Sequence, residues 1–343
     1  RNHSSAASDV YKRQLKDNKK IARIFNKKML NTIKNLFFLL LVAFTLSNCE
    51  REITVDLPDH NEKIVVEGSI ESGSPPIVYL SRNFAYFGSF DLASFQNNFV
   101  RGAEIVISDG IKTATLDEIC WSTLSDLERQ IFAEAAGIDL EFVPEDFDFC
   151  LYTFFDFEPE IIGEYGKTYT MNITTAEGEN LFAQTSIPNP APLDSVWYEP
   201  HNDPQNDTLW RVYMQINDPD TLGNYYRYYT QQNDEPLYPG LNSVFDDLLL
   251  NGLSLPVPID RAQPQGLEFD FVSYGYFKTG DTVTVRWDAI DQQTYTFWAD
   301  LERLANSAGP FSSSTKVNFN IEGGIGIWAG YAISSNETFV IEE

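Results

Sequence analysis

The stretch AEIVISDGIKTATL, residues 103–116, decides the fold class. Two apolar-rich runs, Ala103 to Ser108 and Ile111 to Leu116, flank Asp109-Gly110. That dipeptide suits a type I′ hairpin, because both central residues take positive φ. A second pair of runs, Thr168 to Thr174 and Leu181 to Ile187, surrounds Glu177-Gly178 in the same manner. Further short alternating runs lie at Lys63 to Ile70 and Pro76 to Ser81, with breaks at Pro58 and in the Ser72 to Pro76 cluster. Short strands closed by turns are the rhythm of an antiparallel sandwich.

One helix interrupts this block. Ser125 and Glu128 have capping-box spacing, Leu127, Ile131 and Ala135 share a face, and Gly137 can end the helix. Three prolines in Pro188-Asn189-Pro190-Ala191-Pro192 suit an extended linker and mark a domain boundary at residues 189–192. Beyond it, strands are expected at Ser195 to Tyr198, Trp210 to Ile216, Tyr225 to Gln231, Phe269 to Phe277, Thr282 to Trp287, Lys316 to Ile321 and Glu337 to Ile341. Asp291 can cap a helix reaching about Ala305, with Tyr295, Trp298, Leu301 and Leu304 near one face. The expected architecture is therefore mainly β, with two antiparallel, sandwich-like (Ig-like) domains over 49–188 and 193–343. The first carries a helical insert at 121–150 and the second an amphipathic helix.

The N-terminal segment reads as an export signal. Residues 1–14, RNHSSAASDVYKRQ, show no periodicity, resemble a translated sequencing-adapter tail, and are set aside. Met29 to Asn48 has a basic start with Lys34, an apolar stretch from Leu36 to Leu46 too short to span a bilayer, and small or polar residues before Cys49. Leu46-Ser47-Asn48-Cys49 resembles a lipobox, so Cys49 is the expected lipid-bearing residue and the outer membrane the expected location. A lipid chain contributes about 0.8 kcal/mol per buried methylene, enough in combination to anchor a protein without a transmembrane helix.

Residues 1–48 hold ten of the 24 basic residues and two of the 50 acidic ones, so the chain from Cys49 carries 14 basic and 48 acidic residues, a net charge of −34. A field of that sign repels phosphate backbones and anionic headgroups, which excludes nucleic acid and charge-driven membrane attachment as partners. Two cysteines remain after Cys49. An exported protein meets oxidising conditions, so a disulfide between Cys120 and Cys150 is expected, closing a loop of about thirty residues. The alternative is a pair of free thiols in a metal or catalytic role, against which no histidine lies near either in sequence.

Catalytic signatures are sparse. Apart from His3, only His60 and His201 occur, and neither a Gly-x-Ser-x-Gly elbow nor a His-Glu-x-x-His motif is present. Ser313-Ser314-Thr315-Lys316 matches Ser-x-x-Lys but in a loop context. Close carboxylate pairs are unavoidable among 48 acidic residues and select no acid–base pair. No cofactor is expected; Gly323 to Tyr331 lacks Gly-x-Gly-x-x-Gly spacing, and its glycines suit tight turns or close backbone packing. Glu145 to Phe149 reads either as a calcium site or partner-binding tip, or as a solvated loop with its phenylalanines tucked inward. Phe147, Phe149, Trp328 and Tyr331 form the candidate binding patch. Ser195, Thr208, Thr221 and Thr282 each follow an aspartate and precede an apolar residue, which resembles the short O-glycosylation sequon of Bacteroidota; the alternative is a chance match, since three residues are easily matched, and a modified site must be exposed.

Several stretches in order, CEREITVDLP (49–58), IVVEGSIESGSPP (64–76), GKTYTMN to TSIP (166–188), DDLLLNG (246–252), GDTVTVRW to YTFW (280–298) and NIEGGIGIWAGY (320–331), resemble a Bacteroidota lipoprotein family known as domain of unknown function 4249. The resemblance implies an outer-membrane lipoprotein, often encoded near TonB-dependent receptors, and supplies no catalytic residues. Glu50 and Glu52 resemble the acidic tag that sends such lipoproteins to the cell surface. The first expectation is thus a non-enzymatic accessory or binding protein beside a TonB-dependent transporter. The alternatives are an adhesive or structural surface module, and a carboxylate-based hydrolase.

Overall fold

The computed structural model describes residues 29, 34–36, 62–83, 98–136, 148–155, 158–263, 272–306 and 316–342. Cys49, Phe147, His60, Ser313 and residues 1–14 lie outside them. None of the described helices is long and apolar enough to cross a membrane.

The first hairpin pairs β1 (Ile64–Glu71) with β2 (Ile77–Arg82), and the quoted stretch forms β3 (Glu104–Ser108) and β4 (Thr113–Thr115). The turn between the latter is not type I′. Among the described residues of the turn only Gly110 has positive φ, and the Asp109 carboxylate accepts from the backbone N–H groups of Ile111 and Lys112, so the loop runs over four residues. Next come β5 (Asp117–Cys120), α1 (Asp126–Ala136) and β6 (Cys150–Thr153), then the hairpin of β7 (Thr168–Thr174) and β8 (Asn180–Ser186). The capping box forms: Ser125 N–H donates to Glu128 at 2.7 Å and Glu128 N–H to Ser125 Oγ at 3.4 Å. The helix nevertheless turns a different face inward. Leu127 and Ile131 are exposed, while Ala133 and the preceding Leu124 are buried.

After the proline segment follow β9 (Ser195–Pro200), β10 (Leu209–Asn217), β11 (Tyr225–Gln232), β12 (Tyr238–Asp246), β13 (Ser254–Ile259), β14 (Phe277–Lys278), β15 (Thr282–Ile290), α2 (Gln292–Asn306), β16 (Ile321–Glu322) and β17 (Ile325–Val340). Asp291 caps α2 through Thr294 N–H at 2.8 Å. Its inward residues are Thr294, Phe297 and Asp300, with Tyr295 and Trp298 partly covered; Leu301 and Leu304 remain exposed, so the expected face is rotated.

The mainly β, sandwich-like architecture holds, but one sheet and one core run across the expected boundary at residues 189–192. One eight-stranded sheet, β12-β11-β15-β17-β1-β2-β6-β5, draws strands from both sides of residues 189–192. Its centre is β17, which pairs in parallel with β1 through its first half and antiparallel with β15 through the rest. The Gly-rich stretch before Tyr331, expected as turns or close packing, is the start of that strand. Gly326 takes φ +115°, and a Cβ there would lie 1.9 Å from the Val66 carbonyl oxygen; one at Gly330 would lie 2.5 Å from that of Ser186. Only glycine permits backbones this close. The proline segment lies along the sheet: Ala191 and Leu193 N–H groups donate to the hydroxyls of Ser334 and Ser335, and the Trp287 indole donates to the Ala191 carbonyl.

One face of the large sheet is covered by two smaller sheets. A five-stranded sheet, β16-β8-β7-β3-β4, shares a core with Val66, Ile70, Leu80 and Trp328, and the Trp328 indole donates to the Tyr169 carbonyl at 3.1 Å. The strands around β10 share the same core with Tyr226, Tyr228, Val285 and Trp287. Edge strand β13 carries Pro256 and Pro258, which lack N–H donors and blunt the edge. The opposite face of the large sheet packs Ile290, Ile327, Ala329 and Tyr331 against α2.

Candidate functional site

Cys120 and Cys150 are directly opposite in the β5–β6 pair and form a disulfide. A sulfur pair so bonded is spent as a metal ligand, although Glu118 lies beside it. The bridge staples a small core in which Trp121 and Phe149 stack at 5.5 Å, with Leu124, Ala133 and Leu151 around them. Asp148, in the acidic loop, accepts from Ser122 and pairs with Arg101 at 2.9 Å.

The aromatic binding patch is overturned for its three described members. Trp328, Tyr331 and Phe149 are all buried, because each fills a core between layers: Trp328 between sheets, Tyr331 under α2, Phe149 against Trp121. Of the hydroxyl sites, Ser195, Thr208 and Thr221 are exposed, whereas Thr282 is half-buried within β15. His201 packs its ring against Tyr276 and accepts the Asp203 N–H; Lys316 is exposed.

A dense titratable cluster lies on the α2 side of the large sheet. Strand alternation places Arg227 and Tyr229 of β11, Arg286 and Asp288 of β15, and Tyr331 of β17 on one face. Arg286 binds Asp288 and Glu71, both at 2.8 Å. Burial pushes the Asp288 carboxyl up to about 6, with Arg286 pulling the other way. Arg227 has its guanidinium 3.6 Å from the centre of the Trp298 ring and donates to Ser243, whose hydroxyl bonds Glu302. Burial raises Glu302 as well, against the hydrogen bonds from Ser243. Asp288 has no exposed surface and Arg227 is buried, whereas Arg286 and Glu71 keep 15 and 32 % of their side-chain surface; the contacts of Arg227 with Trp298 and of Ser243 with Glu302 tie helix to sheet.

A different arrangement stands at the end of β12. Asp247 is buried, and one carboxylate oxygen accepts the N–H groups of Gly223 at 2.7 Å and Asn224 at 2.9 Å. Asp218, also buried, accepts from the Tyr226 hydroxyl at 2.6 Å and from Gly252 N–H at 3.3 Å. These two side chains lock the loops 218–224 and 247–253 together. Leu250 and Asn251 N–H groups close on the Asp247 carbonyl, giving the second loop a single tight turn. Its outer surface is apolar: Leu222, Leu248 and Leu249 are 71, 73 and 84 % exposed, with Leu253 and Leu255 beside them at 48 and 36 %. Scattered exposed leucines are ordinary, but five on two interlocked loops and the adjoining strand are not. Asp220 is exposed next to Gly252, and Asp246 is half-buried next to Leu248, so the leucines have an acidic border. Sequence reading passed over this site, although three successive leucines between Asp247 and Asn251-Gly252 put an apolar run in a turn context.

Fold and surface together define a three-sheet β protein with a largely buried ionic network and an exposed apolar loop pair joined by two buried aspartates. The family described as Domain of unknown function (DUF4249) matches residues 50–337, nearly all of the chain beyond Cys49, and the protein belongs to it. No curated protein matches the chain at a significant level.

Proposed function

We propose that this protein is a lipid-anchored outer-membrane lipoprotein of Bacteroidota, held through Cys49, that docks a protein partner without catalysing a reaction, as an accessory to a TonB-dependent transporter. The observation that carries the docking role is the leucine surface on loops 218–224 and 247–253. Fully burying a leucine side chain stabilises an association by about 1.5–3 kcal/mol, and loops already held by buried aspartates lose little entropy on binding. The acidic border selects a partner pocket with a basic rim. A non-catalytic role is supported by where the perturbed carboxyl of Asp288 lies: it is paired with Arg286 and has no exposed surface for a substrate to meet.

Affinity purification of the tagged protein from mildly solubilised outer membranes, with mass spectrometry of what co-purifies, tests this reading. Near-stoichiometric recovery of a β-barrel transporter is expected from the wild type, and its loss from the Leu248→Asp/Leu249→Asp variant. Both leucines are exposed, so that variant keeps its fold within about 0.5 kcal/mol. Recovery of the lipoprotein alone, or equal recovery of the transporter by the variant, defeats the proposal.

A further inference from the structure

A groove of about 410 Å³ opens between the outer edge of the five-stranded sheet and the first turn of α2. That size lies within the roughly 300–1,000 Å³ typical of small-ligand sites. Phe182 and Phe319 present half-exposed rings, at 36 and 45 %. Gln184, Gln292 and Gln293 line it, and none of their side-chain amides is hydrogen-bonded among the described residues. Lysine and arginine are absent from the lining, and its one carboxylate is Glu322.

The frame around these groups is fixed. While one oxygen of Asp291 caps α2, the other accepts from the Thr185 hydroxyl at 2.8 Å and the Ser186 N–H at 2.9 Å, holding helix to strand. The Asn320 side chain donates to the Gln184 and Trp328 carbonyls and accepts the Trp328 N–H. Asn318 donates twice to Asp300. The groove is therefore preformed, which lowers the cost of ordering a ligand in it.

We infer that this groove binds a neutral oligosaccharide. Each free amide offers donors and an acceptor to sugar hydroxyls, and each ring offers an apolar face to the C–H side of a pyranose. A charged ligand finds no counter-charge beyond one carboxylate. An added peptide strand finds the β8 edge occupied, since Ile321–Glu322 pair with Phe182–Ala183 and Asn320 takes the Gln184 carbonyl. This site uses other residues than the leucine loops and stands independently of partner docking.

The test is titration calorimetry of the detergent-solubilised full chain against short neutral oligosaccharides of glucose, mannose, galactose, xylose and N-acetylglucosamine, with an uncharged extended peptide as the competing class. At least one oligosaccharide binds, and Phe182→Ala and Phe319→Ala each weaken it about tenfold, as loss of an aromatic contact of about 1.4 kcal/mol gives. Both variants keep the wild-type melting temperature and recover the same membrane partner, whereas Leu248→Asp/Leu249→Asp keeps sugar binding. No heat from any of the five sugars, binding unchanged by both phenylalanine variants, or binding of the peptide in their place overturns the inference.

Discussion

At the scale of single residues, Gly326 and Asp288 each mark a place where ordinary chemistry is constrained by a neighbour. Gly326 combines a left-handed φ with the closest backbone approach in the molecule's centre, so Gly326→Ala must both strain the chain and part β1 from β17. We expect a loss of about 3 kcal/mol or more in urea unfolding, and an unchanged midpoint would mean the strands are not so close. Asp288 acts through protonation. Its folded pKa of about 6 lies above the ordinary 3.8, because burial penalises the carboxylate more than Arg286 compensates. Below about pH 4 the group is neutral in both states and its contribution is whole. Between about 4 and 6 the unfolded chain releases a proton that the folded protein keeps, so stability falls through that window by roughly 3 kcal/mol and is level above it. Background carboxylates are common to wild type and Asp288→Asn, so the wild type should lose that much more than the variant between pH 4 and 7. Equal losses in the two proteins would show that Asp288 does not titrate there.

At the scale of elements, local signals were legible and long-range ones were not. The β7 bounds coincide with the expected Thr168 to Thr174, and β10, β11 and the Asp291-capped α2 fall within a residue or two, since alternation and capping are written into adjacent residues. The start of β17 was hidden by its glycines, which ordinarily weaken strands and here exist because Val66 and Ser186 crowd it. Strands β12 and β13 were hidden by Pro239, Pro256 and Pro258, admissible because the partnerless side of an edge needs no N–H. Helix faces were misjudged because apolar spacing alone does not say what covers it; Leu127 and Ile131 share a face that stays in solvent. The aromatic patch failed for the same reason, and the leucine surface went unseen because exposure is a tertiary property. The disulfide was legible because the expected export and the two cysteines left after Cys49 imply it. Its removal in Cys120→Ser/Cys150→Ser should cost roughly 3–4 kcal/mol, read as a shift of the urea midpoint. Addition of a reductant to the wild type should reproduce that shift, and a reductant without effect would mean the thiols are not paired in the purified protein.

At the scale of the whole molecule, the decisive feature is that the first and last described strands are neighbours. Parallel pairing of β1 with β17 brings residues some 260 positions apart into register, Val65 with Ile325 through Glu71 with Tyr331. Closing so long a loop costs entropy that the contact itself must offset, and the pairing joins both ends of the described chain in one sheet. The proline segment at 189–192 has the composition of a linker, yet a linker between independent domains would separate two cores. Here the principal core takes Ile105, Tyr169 and Leu181 from one side and Val212, Val285, Trp287 and Trp328 from the other. Fragments 49–189 and 190–343, produced separately, should therefore show no cooperative thermal transition by circular dichroism. The first would lose the β17 neighbour of β1 and the Trp328 ring that lies against Gly68 in the shared core; the second would leave β17 with an unpaired edge where β1 belongs. Mixing the two should restore a single transition, because every strand pair across the cut is non-covalent and antiparallel or parallel partners can still find register. A fragment that melts cooperatively alone would show that its half owns a self-sufficient core and that the domain boundary expected from the prolines is real.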